Sequence, residues 1–254
     1  MLRFAYSTIN WGATCDLSAA LGEIRAAGWG AVELYGHTVA HMGPHDALTT
    51  TLDGLAVATL FGSVAFPLTD EQRATHRDKI DYAATLGATA YGVVGGQRLR
   101  YRPPTGAEYA ELSAFLEDLA AYGAARGVAI SYHPHTGCTV ETADEIDLLL
   151  RDTSALRLCL DASHIALVDE EPLATLDRFW GRIGYIHLKD WARGRFVELG
   201  RGTIGIDFPG LFRALEARHF DGWVVIENSR SDVSPLESAH VNAAYLTGLG
   251  YAIR

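Results

Sequence analysis

Cysteine is scarce in this chain: 254 residues carry three, at Cys15, Cys138 and Cys159, with no C-x-x-C spacing. An odd number so spaced excludes a disulfide framework and a thiolate zinc site as the organising device, and predicts buried free thiols. No apolar run reaches the roughly 20 residues that cross a bilayer, and the opening MLRFAYSTINWG has neither a basic leader nor a long apolar core. A cytoplasmic protein with no membrane partner is expected. Basic residues are also in deficit, 21 against 31 acidic ones, for a formal net charge of -10. That field repels phosphate backbones, so no nucleic-acid partner is expected. Low-complexity tracts, charge blocks and Pro/Ser-rich linkers are missing as well, which predicts one domain over residues 1–254.

What is present is a repeating unit. Short runs rich in β-branched and aromatic residues occur at 2–9, 30–36, 54–62, 88–96, 127–133, 156–161, 182–188 and 222–228. Between them lie stretches with helical periodicity and capping residues. Asp16 precedes LSAALGEIRAAG, in which Leu17, Leu21, Ile24 and Ala27 share a face, and Gly28 stops it. Thr69 with Asp70, Thr105 and Thr142 open further helices, and Pro172 occupies a position that suits a first helical turn. FPGLFRALEARHF and SPLESAHVNAAYLTGLG supply the last two, while residues 37–53 read as a loop and a short helix. Eight strands alternating with helices predict an α/β protein of the (β/α)8 TIM-barrel class, with an open doubly wound sheet as the competitor.

In such a barrel, functional groups stand at the C-terminal ends of strands. Here those ends carry Glu33, His133 and His135, Asp161 followed by His164, then His187, Lys189 and Asp190, and finally Glu227. In YHPHTG the two imidazoles at i and i+2 face one side, because strand side chains alternate. They suit a metal, a substrate, or a structural pair bonded to loop carbonyls. Asp161 and Glu227 each end an apolar run, where a carboxylate must be paired, capping or metal-bound. For Asp161 an N-cap role competes with ligation. His187 and Lys189 share parity, and a surface Lys189–Asp190 pair is the plain expectation for Asp190. His164 is placed in the following loop. Asp161, His187 and Glu227 recur at one register on successive strands, with His133 one strand earlier. Two imidazoles with two carboxylates suit Mn²⁺, Co²⁺, Fe²⁺ or Zn²⁺ better than Ca²⁺.

These residues, with DASHIAL, RIGYIHLKD, GRGTIGIDF, Trp11–Gly12 and the VEL of the second strand, resemble the xylose isomerase-like TIM barrels. That superfamily includes sugar phosphate isomerases and epimerases, inosose dehydratases and endonuclease IV. Its metal is commonly held by Glu, Asp, His and Glu on strands five to eight. Asp161, His187 and Glu227 match the last three, while His133 stands in place of the first glutamate. That departure resembles the myo-inosose-2 dehydratase branch in particular, although the chain is shorter than is usual there.

The resemblance implies one divalent ion, Mn²⁺ foremost, on His133, Asp161, His187 and Glu227. It implies a lyase that dehydrates or β-eliminates from a cyclic keto-polyol or keto-sugar by way of an enediolate. His135, His164 and Lys189 are candidates for acid and base, Glu33 for orienting hydroxyls, and Trp11 and Arg201 for substrate contact. The rival readings are a metal-dependent sugar isomerase or epimerase, a lyase of 3-oxo-glycosides, and a sugar-binding protein without catalysis. Endonuclease activity fits poorly, since it needs more metal ligands and a basic surface. Association into a homo-oligomer through exposed aromatics is a further expectation.

Overall fold

In a strand every second side chain faces the same way, and in a barrel of parallel strands one parity points inward and the other toward the helices. All eight expected runs form strands of this kind. They are β1 (Arg3–Ser7), β2 (Ala31–Tyr35), β3 (Ala56–Val64), β4 (Ala90–Gly95), β5 (Ala129–His133), β6 (Arg157–Asp161), β7 (Ile183–Leu188) and, after a small hairpin, β10 (Trp223–Ile226). The computed structural model describes residues 1–229 and 231–254. Its strands close in the order β1-β10-β7-β6-β5-β4-β3-β2, every neighbour parallel, so the barrel replaces the open-sheet alternative.

The two parities form two cores. Ala5, Ala31, Ala58, Phe61, Ala90, Val94, Cys159, Tyr185 and Val225 pack inside the barrel. Leu34, Val93, Tyr132, Leu160, Ile186 and Ile226 face outward into the larger core shared with the helices. The inner set is dominated by small side chains because the lumen is narrow. A Cβ at Gly92 would lie 2.0 Å from the Tyr185 hydroxyl and 2.3 Å from the Phe61 ring, so glycine there makes room for both aromatics. Glu33, His133, Asp161 and His187 share the inward parity of Ala31, Ser131, Cys159 and Tyr185. Strand pairing sets Asp161 beside His187 and His187 beside Val225, at the C-terminal end of the lumen.

The helices are α1 (Leu17–Ala26), α2 (Val39–Met42), α3 (His45–Leu52), α4 (Asp70–Thr85), α5 (Gly106–Ala124), α6 (Ala143–Leu150), α7 (Ala162–Ala166), α8 (Pro172–Arg178), α9 (Phe208–Ala217) and α10 (Pro235–Gly248). The expected caps are in place. The side chains of Asp16, Thr69, Thr105 and Thr142 accept from first-turn N–H groups, and Glu108 and Glu145 complete capping boxes at the last two. No helix among the described residues is long and apolar enough to cross a membrane.

Two expectations change, and one element is new. Residues 37–53 hold two short helices rather than one. His164 lies on α7 and not in a loop, since Asp161 caps a helix directly after the strand. A two-stranded hairpin, β8 (Asp190–Ala192) and β9 (Arg195–Val197), rises from the end of β7 and turns at Arg193 and Gly194, both with positive φ. Among the described residues Tyr101 is the one fully exposed large aromatic, because the rings are spent on the cores.

Candidate active site

The polar strand ends converge on one buried cluster. His187 lies at its centre with no exposed surface. Its Nε2 is 2.8 Å from Glu33 Oε2 and its Nδ1 is 3.0 Å from Glu227 Oε2. Lys189, equally buried, places Nζ 2.5 Å from Glu227 Oε2 and 2.8 Å from Asp161 Oδ2. Lys189 therefore does not pair with Asp190, contrary to the sequence expectation. Parity decides this, because the lysine follows His187 by two residues into the lumen. Asp190 points the other way and accepts from the N–H groups of Trp191, Gly200 and Gly202, pinning the base of the hairpin.

Asp161 serves both readings at once. Its Oδ1 accepts from the N–H groups of Ser163 and His164, capping α7, and its Oδ2 faces Lys189. Against burial, Lys189 holds the Asp161 carboxyl below its ordinary range. Lys189 and His187 do the same for Glu227. Burial disfavours charge on Lys189 too, but Asp161 and Glu227 raise its pKa above the usual lysine value. Burial also opposes a charged His187, yet Cys159, Glu33 and Glu227 push it well above the ordinary imidazole range. Burial pushes the Cys159 thiol up to about 11, so near neutral pH it is uncharged and the carboxylates are what hold the His187 proton.

A second layer consists of neutral imidazoles. The His135 and His164 rings lie 3.7 Å apart, and His133 sits 5.5 and 5.4 Å from them and 5.0 Å from His187. Burial, reinforced by Lys189, drives the pKa of His135 down and that of His164 far down; burial with His187 does so for His133. His135 Nδ1 is 2.6 Å from the carbonyl oxygen of Thr136, which can only accept, so that nitrogen carries the proton and Nε2 keeps the lone pair. His164 Nδ1 bonds the Thr136 hydroxyl at 3.0 Å, while its Nε2 has no partner among the described residues. His133 Nδ1 and Glu33 Oε1 are likewise buried without partners among the described residues.

His133, Asp161, His187 and Glu227 each offer one donor atom, and the four atoms lie within 4.8 Å of one another. Two imidazole nitrogens and two carboxylate oxygens, with an unpartnered nitrogen on His133, are a fitting set for a divalent transition ion. Lys189 competes for the same two carboxylates, so ligation there requires its ammonium to give them up and His187 to shed a proton.

Glu33, expected from sequence to orient substrate hydroxyls, engages His187 through Oε2 and keeps Oε1 without a partner among the described residues. Trp11 donates Nε1 to Glu23 Oε2 at 2.7 Å and packs edge-on against Tyr6. Arg201 is exposed, 3.9 Å from Glu198. Neither makes a hydrogen bond, ion pair or ring contact with the cluster among the described residues. Sequence reasoning missed Phe61, stacked 5.4 Å from His187, and Phe196 of β9, whose ring lies 5.2 Å from His164 and 4.7 Å from Lys189 Nζ. Phe61 could have been found from the inward parity of β3. Phe196 follows an Arg-Gly turn, which is a weak hairpin signal.

Known proteins share the fold. The family described as the xylose isomerase-like TIM barrel matches residues 21–249. An inosose dehydratase of Clostridium beijerinckii is 31% identical over 144 residues, a match covering 48% of this chain and 48% of that protein. The chain thus spans about half the length of that relative. Among solved structures, an L-ribulose 3-epimerase superposes with a TM-score of 0.81 at 20% identity, over 98% of this chain and 94% of the other. The IolI protein, with a zinc atom, superposes at 0.76 with 17% identity, over 95% of each chain. With nearly the whole barrel matched, the chain belongs to the xylose isomerase-like TIM barrel family.

Proposed function

We propose that the protein is a divalent-metal-dependent lyase that removes water from a cyclic keto-polyol of the inosose type. The observation that carries the reading is the buried set of His133, Asp161, His187 and Glu227 directly beneath a pair of neutral imidazoles. The inosose dehydratase relative and the zinc-holding IolI structure support it. A divalent ion on the four donors, Mn²⁺ by preference, would act as a Lewis acid toward a ketone oxygen and make the adjacent C–H acidic.

The remaining work falls to the chain itself. His135, with the Nε2 lone pair free and the ring half-exposed, is the base that takes the proton next to the ketone. Lys189 is the acid. Once Asp161 and Glu227 are engaged elsewhere it loses the partners that hold its proton, and the departing hydroxyl leaves as water with that proton. The C–H bond and the C–O bond break, and a carbon–carbon double bond conjugated to the ketone forms. Glu33 keeps the His187 ring in its orientation by accepting from Nε2. His133, in place of a fifth-strand carboxylate, leaves one proton-transfer carboxylate fewer than a two-base epimerase uses, which favours elimination over epimerisation.

The test is elemental analysis of untagged protein before and after chelation and Mn²⁺ reconstitution, followed by incubation with inosose in D2O. The reading expects about one ion per chain and a new ultraviolet-absorbing product with loss of water. Deuterated isomer without loss of water would establish an epimerase, and no metal uptake under any condition would overturn the mechanism.

A further inference from the structure

The polar groups of the cluster are almost wholly enclosed. Glu33, His187 and Lys189 have no exposed surface, and His133, Asp161, His164 and Glu227 have at most 2%. A ligand the size of a sugar reaches them only if something moves. The hairpin of β8 and β9 stands over that end of the lumen and is not part of the barrel sheet. Three residue pairs hold its strands together, and an isolated two-stranded hairpin is marginal on its own. Its base is fixed by Asp190 and by the Thr203 N–H donating to the Trp191 carbonyl at 2.8 Å. Its tip is tied by an exposed ion pair between Arg195 and Asp232, a contact of small worth. A firm base and a weak latch define a hinge. Half-buried Phe196 is the side chain the hairpin lays on the site, packed between Trp191 at 4.8 Å, the His164 ring and the Lys189 ammonium.

We infer that the hairpin Asp190–Val197 is the movable cover of the site and that Phe196 is its specificity-determining residue, the apolar wall against which the C–H face of a ring polyol packs. The second half rests on the function proposed above; the first does not. A polyol ring offers hydroxyls on its rim and C–H groups on its face. The cluster supplies polar partners from the lumen, and Phe196 supplies an aromatic surface from the opposite side. The same ring now sits against Lys189 and His164, so a ligand has to displace it.

Diethyl pyrocarbonate labelling read by mass spectrometry tests the cover without reference to turnover. The reagent needs access to a free imidazole nitrogen, and among the described residues His164 Nε2 has no partner but is enclosed. Exposed His219 and His240 serve as internal references. Phe196→Ala is expected to raise His164 labelling relative to those references about tenfold, and Asp232→Asn, which loosens the latch alone, about two- to fivefold. Unchanged His164 labelling in both variants overturns the cover. For the wall, Phe196→Ala is expected to raise KM for inosose about three- to tenfold with little change in kcat. An unchanged KM overturns the assignment of Phe196 to the substrate. A wild-type protein that dehydrates no inosose refutes the proposed function and with it the wall, while the labelling still decides the cover.

Discussion

Replacing Lys189 with methionine separates the two cations that the carboxylates accept. Lys189 carries a buried positive charge between Asp161 and Glu227, at 2.8 and 2.5 Å. Methionine nearly conserves its volume but removes the ammonium from both carboxylates, leaving Glu227 to His187 alone and Asp161 to the N–H groups of Ser163 and His164. Breaking a buried ion pair from one side typically costs about 3–5 kcal/mol, and here one removal takes the lysine counter-charge from both Asp161 and Glu227. In a domain of this size 1 kcal/mol moves the melting temperature by about 2–4 °C, so the apo variant is expected to melt at least about 6 °C below wild type. A divalent ion should reverse the order. With no ammonium to displace, the variant is expected to bind Mn²⁺ or Zn²⁺ more tightly and to gain more stability from a given excess of ion. Differential scanning calorimetry in chelator and in Mn²⁺, with calorimetric titration of the metal, reads both quantities. A variant as stable as wild type in chelator would refute the ion-pair assignment. Weaker metal binding by the variant would refute the competition between lysine and ion for the same oxygens.

Other consequences follow from the same geometry. Asp161→Ala or His187→Ala is expected to abolish tight metal binding by elemental analysis while far-ultraviolet circular dichroism stays native; full metal content in His187→Ala would remove it from the ligand set. His135→Ala should keep its metal and lose about 10²–10⁴-fold in turnover, the range of a missing general base. Stability should fall on acidification. His133, His135 and His164 have folded pKa values below the unfolded value near 6.5, and His76 is lowered by burial to about 4. Their unfolded forms therefore bind more protons as the pH drops below about 6.5, and urea midpoints should decrease from pH 7 to pH 5. His187 has the opposite sign: raised when folded, its contribution is complete below about 6.5 and disappears only as the pH rises through its higher folded value. Asp190→Ala frees the N–H groups of Trp191, Gly200 and Gly202, and is expected to cost about 2–4 kcal/mol in urea unfolding with metal affinity unchanged.

The strands and most caps were legible because both are local. Asp16, Thr69, Thr105 and Thr142 cap the helices they precede in sequence, and the alternation of leucine with other residues in LRLCLD separates one strand face from the other. Parity also placed His133, Asp161, His187 and Glu227 together, since all four occupy inward positions at strand ends. What was misread depended on partners distant in the chain. Asp190 adjoins Lys189 in sequence, which made their pairing the simple expectation, yet the lysine finds its carboxylates 28 and 38 residues away. The contact of Glu33 with His187, 154 residues on, likewise has no local signal, since barrel closure alone makes it. The hairpin was not seen because three-residue strands around an Arg-Gly turn carry almost no periodic signal.

The sequence by itself determined the order of strands and helices, the division of side chains between lumen and outer core, and which chemical groups reach the mouth of the barrel. These follow from periods of two and 3.6 residues and from capping, all set within a few residues of chain. The tertiary structure alone decided which of those groups touch. Closing eight strands into a narrow lumen brings Glu33, Asp161, His187, Lys189 and Glu227 within bonding distance and removes their water. Their charges must then be met by one another, and that mutual neutralisation sets both their protonation and their chemistry.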